Sequence, residues 1–155
     1  MSEPFGQERA KLELAALVAV LDPVLVPHGF TFVPGDTGVS SGGSFSNGHY
    51  RHATVEIGLI YRGPDLGCPD YTSGHVGVGH NSLMRELGRA EDCALWFDDS
   101  IDRWCLVARR GMTVVDALVA DLTTIVLPCL LLTPKTWAAA LAQAQERRIL
   151  RFTRL

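Results

Sequence analysis

Apolar residues recur at helical spacing over the first part of the chain, where Leu14, Leu17, Val18, Leu21, Val24 and Leu25 fall three or four apart. The pattern predicts a helix from about Pro4 to Val26. Ser2 or Glu3 would cap it, Pro4 suits its first turn, and Glu8 sits near the positive end of the helix dipole. No residue between Glu13 and Asp22 is polar. Such a helix is expected to be covered on more than one side, by a sheet and by later helices or a partner. Pro23 should kink its end, and Pro27 with Gly29 should stop it.

The period then changes. Phe30 to Val33 alternates like a strand, and Pro34-Gly35-Asp36 reads as a turn. Ser40 to Gly48 reads as a flexible Gly/Ser stretch holding a short strand around Ser44 to Ser46, with Asn47-Gly48 as a hairpin signal. The clearest strand is His52 to Arg62, with Ala53, Val55, Ile57, Leu59 and Tyr61 on one face. A fourth strand is expected within Tyr71 to Val78. From residue 81 the helical period returns. Asn81 or Ser82 should cap a short helix ending at Gly88. Asp98, Asp99 or Ser100 should cap another, with Ile101, Trp104, Cys105 and Ala108 on its apolar face and Gly111 at its end. Thr113 and Asp116 resemble a capping box for a third helix, whose stripe of Val115, Leu118, Val119, Leu122, Ile125 and Val126 runs to Pro128. Thr133-Pro134 opens the last, with Trp137, Leu141 and Ala144 inward.

Helix, then strands, then helices argues for one α+β domain over residues 1–155: an N-terminal helix, an antiparallel sheet of about four strands, and three or four helices on one face of the sheet. A chain of 155 residues, 47% of them hydrophobic and 20% charged, buries enough surface to need no metal or disulfide staple. Its net charge of −3 argues against a nucleic-acid-binding surface, which carries a basic excess. Cys68, Cys93, Cys105 and Cys129 form no C-x-x-C pair and read as free thiols. The apolar run from Leu14 to Leu21 follows Glu8, Lys11 and Glu13 and lacks the basic start of a secretion signal. The run from Leu122 to Leu132 is broken by Pro128 and falls short of the roughly 20 residues that span a bilayer. A cytoplasmic location away from membranes is therefore expected.

Few residues suggest chemistry. Asp98-Asp99-Ser100-Ile101-Asp102 has the D-D-x-x-D spacing that can hold magnesium, but acidic residues are also what a helix start asks for, and that plainer reading is preferred. His49, His52, His75 and His80 show none of the spacings of a zinc site. A small-molecule site in the 63–80 loop would use Tyr71, His75 and His80, with Asp70 and Cys68 near them in sequence. There is no G-x-S-x-G elbow, and Gly74-His75-Val76-Gly77-Val78-Gly79 lacks the features of a phosphate loop. No catalytic residue, metal ligand or cofactor is assigned. Arg147, Arg148, Arg151 and Arg154 read as favourable charge at a helix C-terminus.

Leu25-Val26-Pro27-His28-Gly29-Phe30, a helix end followed by Gly-Phe and a strand, resembles the opening of several small bacterial families of uncharacterised function. Some of these are similar to immunity proteins of polymorphic toxin systems. His80 to Gly88, Trp96 to Asp99 and Asp116 to Asp121 follow in a similar order. The resemblance implies an intracellular α+β domain that acts by binding, with no catalytic residue to carry over. The expectation is a non-enzymatic interaction module whose Asp98, Asp99 and Asp102 meet a protein partner with a basic surface. The alternative is a small-molecule or metal-binding domain, or an enzyme, using the His75/His80 loop.

Overall fold

The structure, a computed structural model, describes residues 3–100, 102–130 and 134–153. Ser2, Ile101, Thr133 and Arg154 lie outside the described residues. The class is α+β with antiparallel strands, and the chain forms two compact units, residues 1–69 and 70–155.

In the first unit, α1 (Glu3–Leu25) is followed by a 3-10 turn (Val26–His28) and four antiparallel strands, β1 (Thr31–Ser40), β2 (Gly43–His52), β3 (Val55–Arg62) and β4 (Asp65–Leu66). Gly29 stops the helical path at φ 93°, where its N–H returns to the Val26 carbonyl, a conformation in which a side chain would strain the backbone. One stripe of α1, formed by Ala10, Leu14, Leu17, Leu21 and Leu25, is buried and packs across β1, β2 and β3. The strands return the complementary face: Ser46, Gly48 and Tyr50 of β2, and Val55, Ile57, Leu59 and Tyr61 of β3. Buried Tyr50 anchors the helix, donating its hydroxyl to the Asp22 carboxylate at 2.7 Å, with the Val18 carbonyl 3.2 Å away. Burial, and then the hydrogen bond to and charge of Asp22, push the phenol above its ordinary pKa.

The opposite side of α1 stays open to solvent, with Leu12 63% and Val20 44% exposed. Within this unit the sheet covers one side of the helix, and the expected cover by later helices or a partner concerns the other side. Ala15, Ala16 and Ala19 lie on that open side, and alanine exposes too little apolar surface to demand cover. The strands are also longer than expected. Pro34-Gly35-Asp36 does not end β1 but forms a bulge, since the register with β2 slips between Pro34 and Thr37. The Asn47 side chain accepts the Asp36 N–H at 2.8 Å and so satisfies the displaced backbone. Asn47-Gly48 lies inside β2, and the hairpin turn falls at Ser41-Gly42. The strand expected from His52 begins at Val55, because Ala53, at φ 52°, and Thr54 turn the chain.

The second unit runs through β5 (Asp70–Ser73), β6 (Val76–Gly79), α2 (His80–Glu86), β7 (Leu95–Asp98), β8 (Cys105–Ala108), α3 (Val114–Asp121), a π-helical turn (Leu122–Val126), α4 (Leu127–Leu130) and α5 (Pro134–Thr153). The single strand expected within 71–78 is a hairpin, β5 with β6, turning at Gly74-His75. The α2 helix begins one residue before the expected caps, because Asn81 serves another purpose. Its side chain donates to the Phe97 carbonyl at 2.7 Å and accepts the Phe97 N–H at 2.8 Å. The helix expected over 98–111 is absent. Leu95 to Asp98 and Cys105 to Ala108 pair as the antiparallel hairpin β7–β8, which takes up Cys105 and Ala108 and leaves Trp104 in the connection just before β8.

Thr113 caps α3 as expected, its hydroxyl accepting the Asp116 N–H at 3.1 Å. Pro128 does not end this path. One turn earlier the helix widens, so that the Leu127 N–H reaches the Leu122 carbonyl five residues back. Hydroxyls of Thr123 and Thr124 donate to the Val119 and Ala120 carbonyls and add to the backbone bonds around the widening. Leu122, Ile125 and Val126 are buried as expected, while Val115 and Val119 are only half-buried. The α5 helix packs on β5, β6 and α2, with Trp137, Leu141 and Ala144 buried.

These two faces of α1 make an unequal pair of substitutions. Leu21→Ala should cost about 2–5 kcal/mol in urea denaturation, whereas Leu12→Ala should stay within roughly 0.5 kcal/mol of wild type. Similar losses at both positions would mean that the outward face is covered.

Candidate functional site

Two of the three ligand candidates come together. Tyr71 sits on β5 and His80 opens α2, and the Tyr71 hydroxyl lies 2.8 Å from Nδ1 of His80. Across the ring, His80 Nε2 meets Asp121 Oδ2 at 2.8 Å. The carboxylate can only accept, which places the ring proton on Nε2; in the neutral imidazole Nδ1 then accepts the Tyr71 hydroxyl. Asp121 also accepts the backbone N–H groups of Ala94 at 2.7 Å and Leu95 at 2.9 Å. Burial favours the neutral acid, but the bonds from His80, Ala94 and Leu95 outweigh it and hold the Asp121 carboxyl below its ordinary range.

Tyr71, His80 and Asp121 are 0%, 0% and 1% exposed. A general base must reach the proton it abstracts, and nothing in solvent reaches this imidazole. The three groups join β5, α2, the approach to β7 and the end of α3 as a satisfied polar network. Asp121 was not anticipated from sequence. Its signal was a lone acid beside Leu118 and Leu122 on an otherwise apolar stripe, a position that polar residues occupy only with partners. His75 lies exposed in the β5–β6 turn, at the other end of β6 from His80, and five extended steps separate them by roughly 16 Å. Cys68 belongs to the first unit. Among the described residues no three His, Cys, Asp or Glu side chains are placed to share a metal ion.

Asp98, Asp99 and Asp102 gather at the end of the β7–β8 hairpin. Asp98 closes β7, and its carboxylate accepts the Ser100 N–H at 3.0 Å. Hydrogen bonds from Ser100, helped by the charge of Arg103 at 3.8 Å, hold it below the usual carboxylate range. Asp99 and Asp102 are exposed. Among them stands Trp104, 69% exposed, at φ 41°, with its ring edge-on to Phe97 at 5.1 Å. A left-handed backbone at a bulky residue costs on the order of 1 kcal/mol and is found where the surroundings impose it. Cys105, next in the chain, is exposed, whereas burial pushes the Cys93 and Cys129 thiols up.

The base of the hairpin is braced by two arginines. Trp96 of β7 has the guanidinium groups of Arg85 and Arg109 at 5.0 and 5.1 Å from its ring centre. Arg109 further donates to the carbonyls of Ala90 at 2.7 Å and Cys93 at 3.2 Å. The tip thus extends from a clamped stem, with an aromatic ring and acidic side chains turned to solvent.

Among the described residues no helix is long and apolar enough to cross a membrane. Neither protein-family models, nor curated proteins, nor solved structures offer a match to this chain.

Removing the Asp121 carboxylate strands His80 and two backbone donors, so Asp121→Ala should destabilise by about 3–5 kcal/mol. Because its pKa is lower folded than unfolded, Asp121 contributes stability above the ordinary carboxylate value of 3.8, lost as pH falls through the folded value. Acid unfolding should therefore steepen below that value in wild type and less so in Asp121→Asn. Equal acid sensitivity in the two would show that the carboxylate is not ionised in the fold.

Proposed function

We propose that this chain is a non-enzymatic binding module that engages a protein with a basic surface through the tip of the β7–β8 hairpin. It would act in the bacterial cytoplasm, in the manner implied by the resemblance to immunity proteins. The observation that carries this reading is Trp104, a large aromatic held in solvent amid Asp98, Asp99 and Asp102 on a braced hairpin. Tryptophan at the centre of a contact, ringed by charge, is the pattern of a binding hot spot, and the acidic rim would speed encounter with a basic partner. The sealed His80–Asp121 pair supports binding over catalysis, since this close imidazole–carboxylate contact, though it resembles a catalytic couple, is closed to substrate.

Affinity capture with the tagged chain from its native host, compared with capture by Trp104→Ala and by the double variant Asp98→Lys/Asp102→Lys, tests the reading. A basic protein should be enriched by wild type, with affinity reduced roughly 30-fold or more by Trp104→Ala and an association rate that falls with salt. Partners retained equally by all three proteins would remove the hairpin from the function.

A further inference from the structure

An open groove of about 300 Å³ runs between α1 and β1–β2 in the first unit. Its helix wall is Leu14, Ala15 and Val18, with Phe32 and Gly35 across from it. The space has identifiable causes. Ala15 fills little of it, and Gly35 brings no side chain, since a Cβ there would sit 2.2 Å from the Asn47 carboxamide oxygen. The bulge at Pro34–Thr37 also interrupts the β1–β2 register along this wall.

The groove has two unlike ends. Gly6 packs against Ser44 and Val18 lies over Tyr50, so the helix runs antiparallel to β1. Lys11 therefore lies toward Thr37 and Ser46, whose hydroxyls bond each other at 2.8 Å, and Val18 toward Phe32. Lys11 is exposed and forms no ion pair with a described residue. Asn47 accepts the Asp36 N–H through its oxygen, which leaves its amide hydrogens to donate. No carboxylate lines the groove. One end thus offers a cation, hydroxyls and an amide, and the other only apolar surface.

We propose that this groove binds a medium-chain alkyl carboxylate, with the carboxylate at Lys11 and the Thr37–Ser46 hydroxyls and the chain lying toward Val18 and Phe32. The size follows from the space. Lys11 and Val18 are about 10 Å apart along the helix, and 300 Å³ admits about ten water-sized groups at ~30 Å³ each. Octanoate has that many non-hydrogen atoms. The head is chosen by charge, because an unpaired ammonium beside an apolar trough favours an anion over a neutral or cationic amphiphile.

Calorimetric and NMR titrations of the full chain with sodium octanoate, sodium hexanoate, octanol and octyltrimethylammonium, all below micelle formation, test the assignment. Octanoate should saturate at one per chain, with amide shifts centred on Phe32, Ser46 and Asn47. Hexanoate should bind about 15-fold more weakly, since each buried methylene contributes about four-fold. Octanol should be weaker, and octyltrimethylammonium should not saturate. Lys11→Glu should weaken octanoate by about ten-fold or more, and Val18→Trp should abolish binding by filling the trough. Ala15→Phe, at an exposed helix position, fills the same space if Val18→Trp does not fold. Trp104→Ala should leave octanoate binding unchanged, which separates this site from the hairpin. Absence of saturation, indifference to chain length or head charge, or shifts centred elsewhere would overturn the proposal. Equal binding by Lys11→Glu and the groove-filling variants would overturn it as well.

Discussion

A carboxylate taken out of water must find donors or give up its charge, and the second unit is arranged around that requirement. Asp121 stands at the end of α3 and receives one side-chain and two backbone N–H groups, from His80, Ala94 and Leu95. Each bond fixes a different stretch of chain. His80 starts α2, Ala94 and Leu95 lead into β7, and Tyr71 extends the network to β5. The hairpin that presents Trp104 is therefore referenced to a buried charge at its root. Loss of one partner would leave the others unsatisfied in a setting where water cannot substitute.

The same network separates resemblance to chemistry from chemistry. Tyrosine, histidine and aspartate in hydrogen-bonded series suggest proton transfer on paper. Complete burial turns the series into a structural clamp, while the turn between β7 and β8 carries exposed side chains. The two arginines about Trp96 brace the stem from which that turn extends.

Much of the fold was legible because periodicity reports burial on one face. The inward stripe of α1, the alternation of β3, the Thr113 cap and the inward Trp137, Leu141 and Ala144 all appear where the pattern puts them. Misreadings arose where local signals were answered by distant partners. Pro34-Gly35-Asp36 has turn chemistry, but Asn47 satisfies the backbone there and the strand continues. Trp104, Cys105 and Ala108 have helical spacing, but strand pairing with Leu95 to Asp98 prevailed. Of the candidate site residues, the acidic cluster and the Tyr71–His80 neighbourhood were visible in the sequence. Asp121 was not, because its role depends on a contact 41 positions away in sequence.

The broken register of β1 bears on how the chain avoids its own kind. Among the described residues β1 has β2 as its single neighbour in the sheet, and a bare strand edge is a template on which like strands assemble into fibrils. Pro34 lacks an N–H, and the slip that follows divides the edge into two short stretches out of phase with one another. A second molecule would find no long, flat row of donors and acceptors to extend, so the kink doubles as protection against self-templated aggregation.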